Sequence, residues 1–229
     1  MTAPARPFVT ANFAVTWDGR VSTIRRTPSD FSSPRDKRQL VEIRSDCDAI
    51  LVSAKTAATD NMTMGVPDEE LRAQRRKRGL REFPVRVLLS RTGRIDPKLR
   101  LFTHNFSPIV VFSTTRMPAR TRKALAPLAD LRLHEGEGVD LAAMLAALRK
   151  DYGVRRLVCE GGPQILRALL INELIDEIHV TLCPRVFGGV GAPTLSGDAG
   201  DFLLQSRGLK LREMKIVEDE CFLRYAVAR

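Results

Sequence analysis

An apolar run, Leu157-Val158-Cys159, passes into Glu160-Gly161-Gly162-Pro163 and then into the helix-like pattern Gln164-Ile165-Leu166. Two glycines at such a turn let the backbone approach a ligand without a side-chain clash. The helix start beyond them leaves N–H groups unpaired and carries a partial positive charge. Together these features read as a cradle for phosphate. Two carboxylates have places suited to chemistry. Glu160 at the strand end can orient a ligand or simply accept backbone N–H bonds. Asp60, just past Thr56-Ala57-Ala58-Thr59, can handle a proton or cap a turn. Ser113-Thr114-Thr115-Arg116 lies between a strand pattern and a Pro-led helix. It reads either as a helix N-cap or as a pocket for the adenosine end of a dinucleotide, with Arg116 placed for a 2′-phosphate.

The elements that must position these residues alternate between strand and helix patterns, which argues a mostly parallel sheet covered by helices. Strands are expected at Phe8 to Val15, Ala49 to Ser53, Val85 to Ser90, Ile109 to Ser113, Leu131 to His134, Arg156 to Cys159 and Ile175 to Leu182. Helices are expected at Pro34 to Arg44, Pro67 to Arg78, Pro118 to Ala126, Asp140 to Tyr152 and Pro163 to Asn172. The Asp140 helix places Leu141, Met144, Leu145 and Leu148 on one core-facing stripe. Leu209 to Val217 and Cys221 to Val227 flank a short polar link and read as an antiparallel hairpin. Gly188 to Gly200 reads as a long loop. In open α/β sheets ligands gather beyond the carboxyl ends of strands. Five such tips, Val15-Thr16, Ser53-Ala54, Ser90-Arg91, Ser113-Thr114 and Cys159-Glu160, include four with a hydroxyl residue. They form a possible polar rim for sugar and phosphate oxygens, although Ser and Thr are also ordinary turn residues.

Length and composition set the bounds. The chain has 229 residues and a net charge of +10, enough for one large α/β domain. Its densest basic segment, Arg72, Arg75, Arg76, Lys77, Arg78 and Arg81, follows Pro67-Asp68-Glu69-Glu70 and precedes Gly79. Acids in front, bases behind and a glycine stop describe a solvated helix that complements its own dipole. No aromatic residue is interleaved to stack bases, so no nucleic acid is expected. No apolar run approaches the roughly 20 residues that span a bilayer, and Met1 to Arg6 lacks a signal core. No membrane partner is expected, and the location is read as cytoplasmic. Cys47, Cys159, Cys183 and Cys221 are scattered and read as buried free thiols. His104, His134 and His179 show no metal spacing, and no metal site is expected.

The motifs also carry a family resemblance. Cys159 to Gly189 resembles the pyrimidine reductase of riboflavin biosynthesis, within the dihydrofolate reductase-like superfamily. Thr10 to Arg20 looks like that family's opening strand and its Ser/Thr-Leu-Asp-Gly-Lys turn. Ile43-Arg44-Ser45 with Asp48 to Ser53 resembles its second strand. Thr56 to Asn61 is similar to its Thr-Val-Leu-x-Asp-Asp/Asn segment. The resemblance spans about Arg6 to Val227. It implies a single three-layer α/β domain with a mostly parallel mixed sheet and a C-terminal antiparallel hairpin. It implies NADPH, a phosphorylated heterocycle as substrate, and a homodimer. The reaction implied is reduction of a ribosylamino-pyrimidine 5′-phosphate to its ribitylamino form. The resemblance places cofactor contacts at Ala14, Ser53, Thr56, Asp60, Ser90, Arg91, Ser113, Thr114, Arg116, Glu160, Gly161, Gly162 and Pro163. It places substrate contacts at Asn12, Thr16, Arg44 and Thr63, and catalytic roles at Asp60 and Glu160. The chain departs from the pattern at Lys55, at Met62-Thr63-Met64, at Trp17 in place of a common leucine, and at 65–83, which reads as an insertion. Two other readings stand beside this one. One is a reductase of the same fold acting on another heterocycle, such as a dihydropterin. The other is a basic nucleic-acid-binding module.

Overall fold

The computed structural model describes residues 5–26, 31–197, 203 and 206–228. In chain order the elements are β1 (Phe8–Thr16), α1 (Pro34–Asp46), β2 (Ala49–Ser53), α2 (Ala54–Thr59), α3 (Glu69–Lys77), β3 (Val85–Ser90), α4 (Arg100–Thr103) and β4 (Ile109–Thr114). They continue with α5 (Ala119–Leu125), β5 (Asp130–His134), α6 (Leu141–Tyr152), β6 (Arg156–Cys159), α7 (Pro163–Ile171), β7 (Glu177–Cys183), β8 (Leu209–Val217) and β9 (Glu220–Val227). The chain divides into two compact units, one centred on Val41–Val158 and the other on Phe8–Leu40 with Cys159–Arg229. No helix of the described residues is long and apolar enough to cross a membrane.

The first unit carries strands in the order β5-β4-β3-β2-β6. The pairs β2/β3, β3/β4 and β4/β5 are all parallel. Strands covered on both faces should be continuously apolar. Accordingly Ile50, Leu51, Val52, Val110 and Val111 have no solvent exposure. The stripe expected on α6 is buried at all four positions. Its ends are set locally: the Asp140 side chain accepts from Ala143 N–H, and Gly153 closes the helix at a φ of +69°, a conformation open to glycine.

The basic helix α3 starts and stops as expected. Asp68 caps its N-terminus, and Gly79 follows at a φ of +72°. It is not solvated all round, however. Arg75 is fully buried, where a surface cation was expected. Its Nη1 donates to the carbonyls of Ser45 at 2.8 Å and Cys47 at 2.6 Å, and its Nε to Arg81 O at 3.0 Å. One guanidinium thus ties the end of α1 to the chain beyond α3. Arg76 does behave as a surface residue, pairing with Glu69 at 3.0 Å and Glu82 at 2.9 Å. Arg78 pairs with Asp46 at 2.6 Å.

A second buried guanidinium organises the 99–108 segment. Arg86 of β3 is fully buried. It donates to Leu101 O at 2.7 Å and Ser107 O at 2.5 Å, and its Cζ lies 4.2 Å from the Phe106 ring centroid. Burial lowers its pKa to about 10, so it stays charged at neutral pH. The short helix α4 was not foreseen from sequence. It has no side-chain N-cap, and its Leu101 carbonyl is held by a strand residue 15 positions away.

In the second unit the order is β1-β7-β9-β8. β1 and β7 run parallel, from Thr10 opposite Glu177 to Thr16 opposite Cys183. β9 is antiparallel to both β7 and β8, which is the C-terminal hairpin expected. Its link is Glu218-Asp219, with Glu218 at a φ of +53°. A register shift between Leu211 and Glu213 keeps Leu209, Leu211, Met214 and Ile216 opposite Val227, Tyr225, Leu223 and Cys221. The four β8 side chains are all exposed. Glu220 accepts from Ser33 N at 2.9 Å and Ser33 Oγ at 2.5 Å. That Oγ in turn accepts from Asp36 N at 3.2 Å, so it caps the start of α1. The loop expected over 188–200 is described as far as Gly197 and contains no helix or strand. All four cysteines are free, and three are buried.

The burial of Arg75 has a measurable consequence. Arg75→Gln removes a charge whose removal leaves buried carbonyls unpaired, and should cost about 3 kcal/mol in urea unfolding. Arg76→Gln breaks only exposed pairs and should cost under about 1 kcal/mol. Equal small losses would return α3 to the fully solvated reading.

Candidate active site

Three strands of the first unit, β2, β3 and β4, end in hydroxyl residues, and those hydroxyls are committed. Ser53 Oγ accepts from Thr56 N at 2.9 Å and shares a 2.8 Å hydrogen bond with Thr56 Oγ1, so it starts α2. Ser90 Oγ accepts from Gly93 N at 3.1 Å. Ser113 Oγ donates to Ser90 O at 2.7 Å, and Thr114 Oγ1 donates to Arg91 O at 2.8 Å. Ser113 and Thr114 are fully buried. Their side chains brace the turn after β3 against the turn after β4, so the polar rim read from sequence is partly a set of internal braces. Gly93 completes this contact. At a φ of +62°, a Cβ placed there would lie 2.5 Å from Met117 Cβ and 2.7 Å from Met117 Cα. Arg116 extends from the same turn and pairs with Glu137, both largely exposed. An exposed pair is weak, so an incoming phosphate could displace Glu137.

Asp60 closes α2 through its backbone N–H, which donates to Thr56 O at 3.0 Å. Its carboxylate makes no hydrogen bond or ion pair among the described residues. The side chain therefore does not serve as the cap that a bland reading of the sequence would give it. Partial desolvation by surrounding protein raises its pKa above the ordinary 3.8, while the residue stays exposed to solvent. The next turns are backbone outliers: Asn61 has a φ of +43° and Met64 of +59°. Positive φ is costly for a methionine, and such residues cluster at functional sites. Sequence carried no sign of it. Met64 is wholly buried, so packing holds the outlier in place, with Met62 and Thr63 between the two. Arg44, in the last turn of α1, donates from Nη1 to Gly65 O at 2.9 Å. It is thereby joined to the same segment rather than lying as a surface arginine at a helix end.

The second unit carries the other predicted residues. Gly162 is the N-cap of α7 and has no side-chain cap bond, with Pro163 at the helix start. The unusual backbone is at Gly161, at a φ of +155° and joined to Gly162 by a cis peptide bond. Gly162 itself is at −88°, so of the two glycines only Gly161 has a positive φ. Glu160 follows directly on β6 and is half-buried. Along β1, Asn12, Ala14 and Thr16 share one face, and the parallel register puts Thr181 beside Ala14. Asn12 Oδ1 and Thr181 Oγ1 are both buried without a partner among the described residues. Buried polar atoms are nearly always paired, so two orphans flanking a small alanine mark a place that a polar ligand can complete. Thr181 was missed from sequence, because a threonine in an apolar strand pattern looks like core.

Thr16 Oγ1 is not free. It donates to Asp18 Oδ1 at 2.6 Å and accepts from Arg20 N at 3.0 Å. Asp18 also accepts from Gly188 N at 2.8 Å and Phe187 N at 3.2 Å. The Thr16 bond, with help from these backbone donors, holds its pKa down at about 2.

The sequence matches a known family over nearly the whole chain: the RibD C-terminal domain family covers residues 7–222. The chain belongs to that family. The 2,5-diamino-6-ribosylamino-4(3H)-pyrimidinone 5′-phosphate reductase of Archaeoglobus fulgidus is 31% identical over 209 residues, spanning 91% of this chain and 94% of that protein. A protein of the same name from Methanothermobacter thermautotrophicus is 29% identical over 223 residues, spanning 97% and 99%. The fold matches the crystal structure of a pyrimidine reductase-like protein from Corynebacterium diphtheriae with a TM-score of 0.83. That match has 22% identity and covers 97% of this chain and 92% of the other. As a RibD C-terminal domain, the chain is an oxidoreductase enzyme of the riboflavin-pathway type.

Two substitutions in this RibD C-terminal domain should move stability in opposite directions. Thr181→Val removes an unpaired buried hydroxyl and should stabilise the ligand-free protein by about 1 kcal/mol. Gly93→Ala forces a Cβ onto the Met117 backbone at positive φ and should cost at least about 2 kcal/mol. Thermal unfolding of both variants checks the assignment. A destabilised Thr181→Val would mean that its hydroxyl is already satisfied.

Proposed function

We propose that this chain is an NADPH-dependent reductase that converts a ribosylamino-pyrimidine 5′-phosphate to its ribitylamino form. The observation that carries the reaction is the near full-length match to two archaeal proteins named as reductases of such a substrate. The residues present fit a nicotinamide dinucleotide. The Gly161-Gly162 turn before an uncapped helix start suits a phosphate. The orphaned Asn12 Oδ1 and Thr181 Oγ1 suit a polar, amide-bearing ring beside Ala14. Arg116, held only by an exposed pair, suits a 2′-phosphate, and Ser53, Thr56, Ser90 and Arg91 lie at the neighbouring strand tips. Because the hydroxyls of Ser113 and Thr114 are committed to carbonyls, their part is to shape the turn.

NADPH, when bound, supplies the hydride that C1′ of the ring-opened sugar accepts. The protein's own work is to hold that carbon in line and to keep water away. Asp60 has an unpartnered carboxylate and a raised pKa, so it can hold or pass the proton that must reach the substrate nitrogen or ring oxygen. Glu160 orients the ligands at the Gly-Gly turn. Arg44 offers a fork for the ribose phosphate, with Thr63 as a further substrate contact, while the Thr16 hydroxyl, committed to Asp18 and Arg20, shapes the turn. The free cysteines support a cytoplasmic location. The apolar row exposed on β8 supports the homodimer, in which it would be covered. The commitment of α3's arginines, buried at Arg75 and paired at Arg72, Arg76 and Arg78, argues against a nucleic-acid surface there.

Calorimetric titration should show NADPH binding more tightly than NADH, and Thr181→Val should weaken that binding while leaving the protein folded. Asp60→Asn should lower kcat by roughly 10²-fold with little change in NADPH affinity. Because the Asp60 pKa is raised above 3.8, its ionised fraction falls away at a higher pH than that of a free aspartate. If the carboxylate form is required, wild-type kcat should decline on the acid side as pH falls through that raised value, and Asp60→Asn should lose this limb. Absence of heat with either dinucleotide would overturn the cofactor assignment, and an unchanged kcat in Asp60→Asn would remove Asp60 from the chemistry.

A further inference from the structure

Trp17 is the only tryptophan in the chain, and it is 71% exposed. Exposing so large an apolar ring forgoes the stabilisation that burial would bring. The backbone beneath it is firmly fixed. Trp17 N donates to Arg185 O at 2.8 Å, Thr16 N to Arg20 O at 2.9 Å, and Gly19 N to Thr16 O at 2.8 Å. Asp18 clamps the turn to Gly188 and Phe187, and Arg20 Nη1 donates to Ala192 O at 2.8 Å. A rigid mount under a solvent-facing ring is a preorganised surface, since little further order is lost when something stacks on it.

Its place in the fold says what that something is. Thr16 and Cys183 are the last register pair of the parallel strands β1 and β7. Trp17 and Val186 lie just past their carboxyl ends, where ligands of parallel sheets collect. Val186 and Ile24 on the same two loops are also exposed apolar residues. Arg25 and Arg185 on these loops are exposed cations, which suits an anionic ligand. We infer that Trp17 is a specificity-determining contact that stacks on the flat heterocycle of the phosphorylated substrate. This rests on the proposed reductase reading, and it adds to that reading the surface that selects a planar ring over a bare sugar phosphate.

The sole tryptophan gives a direct readout. Its emission and the heat of binding are followed together in the whole protein with four probes: 5-amino-6-(5-phosphoribosylamino)uracil, uridine 5′-phosphate, ribose 5-phosphate and NADP⁺. The expected result is quenching by the two pyrimidine phosphates and none by ribose 5-phosphate or NADP⁺. Trp17→Ala should raise the pyrimidine phosphate Kd roughly tenfold and leave the NADP⁺ Kd unchanged, and Trp17→Phe should restore most of the loss. Heat from a pyrimidine phosphate without a change in emission overturns the inference and leaves the proposed function standing. No heat from either pyrimidine phosphate overturns both. Quenching by NADP⁺ alone assigns the ring to the nicotinamide and overturns the substrate contact. Blue-shifted emission that moves red on dilution means a second copy covers the indole, and this too overturns it.

Discussion

Burying parallel strands on both faces obliges the turns at both ends of the strands to find hydrogen bonds away from the sheet. An unpaired buried backbone group costs about as much as a lost hydrogen bond, so each turn needs a partner. In the first unit the partners are side chains reaching over long sequence distances. Before the amino ends of β4 and β2, Arg86 holds the carbonyls of Leu101 and Ser107 and Arg75 holds those of Ser45 and Cys47; beyond the carboxyl ends, Ser113 and Thr114 hold those at 90 and 91. In the second unit Asp18 does the reverse and accepts the N–H groups of 187 and 188. The turns beyond the carboxyl ends of β3, β4 and β7 are therefore held by hydroxyl and carboxylate side chains rather than by local propensity alone.

Against this satisfied background the exceptions gain meaning. Asn12 Oδ1 and Thr181 Oγ1 remain unpaired and buried, as do single guanidinium nitrogens of Arg20, Arg75 and Arg207, and the exposed Asp60 carboxylate has no partner among the described residues. Asn61 and Met64 hold left-handed backbone immediately after it. Under the proposed reductase function the Asn12, Thr181 and Asp60 groups are available for amide recognition and proton handling. Trp17 is the apolar counterpart, an aromatic ring left uncovered on a clamped turn.

Much of the architecture was legible because its signals are local. The α6 stripe, the Asp140 cap and Gly153 lie within a few residues of one another, and the helix ran as read. The β8/β9 hairpin was visible as two strand patterns around a polar link. The Gly161-Gly162 turn and Asp60 were found from strand-to-helix transitions and from the motifs shared with a family. Other features had no local signal. α4 exists because Arg86 reaches it. Arg75 sits in a run of like charges and differs from Arg76 only by the helix face it occupies. The bracing role of Ser113 and Thr114 depends on which strand lies beside β4.

The sequence by itself determined the order of the strands and of the longer helices and the mostly parallel class with its antiparallel close, because periodicity, caps and glycine turns are read within one segment of chain, and its motifs determined the family. Only the tertiary structure decided which polar groups are spent on the scaffold and which are left for ligands. That division depends on partners 15 to 31 residues apart for Arg86 and Arg75, and on strand register for Asn12 and Thr181. A hydroxyl, an amide or a guanidinium has the same chemistry in either role. Whether a neighbouring carbonyl has already claimed it is a property of the fold.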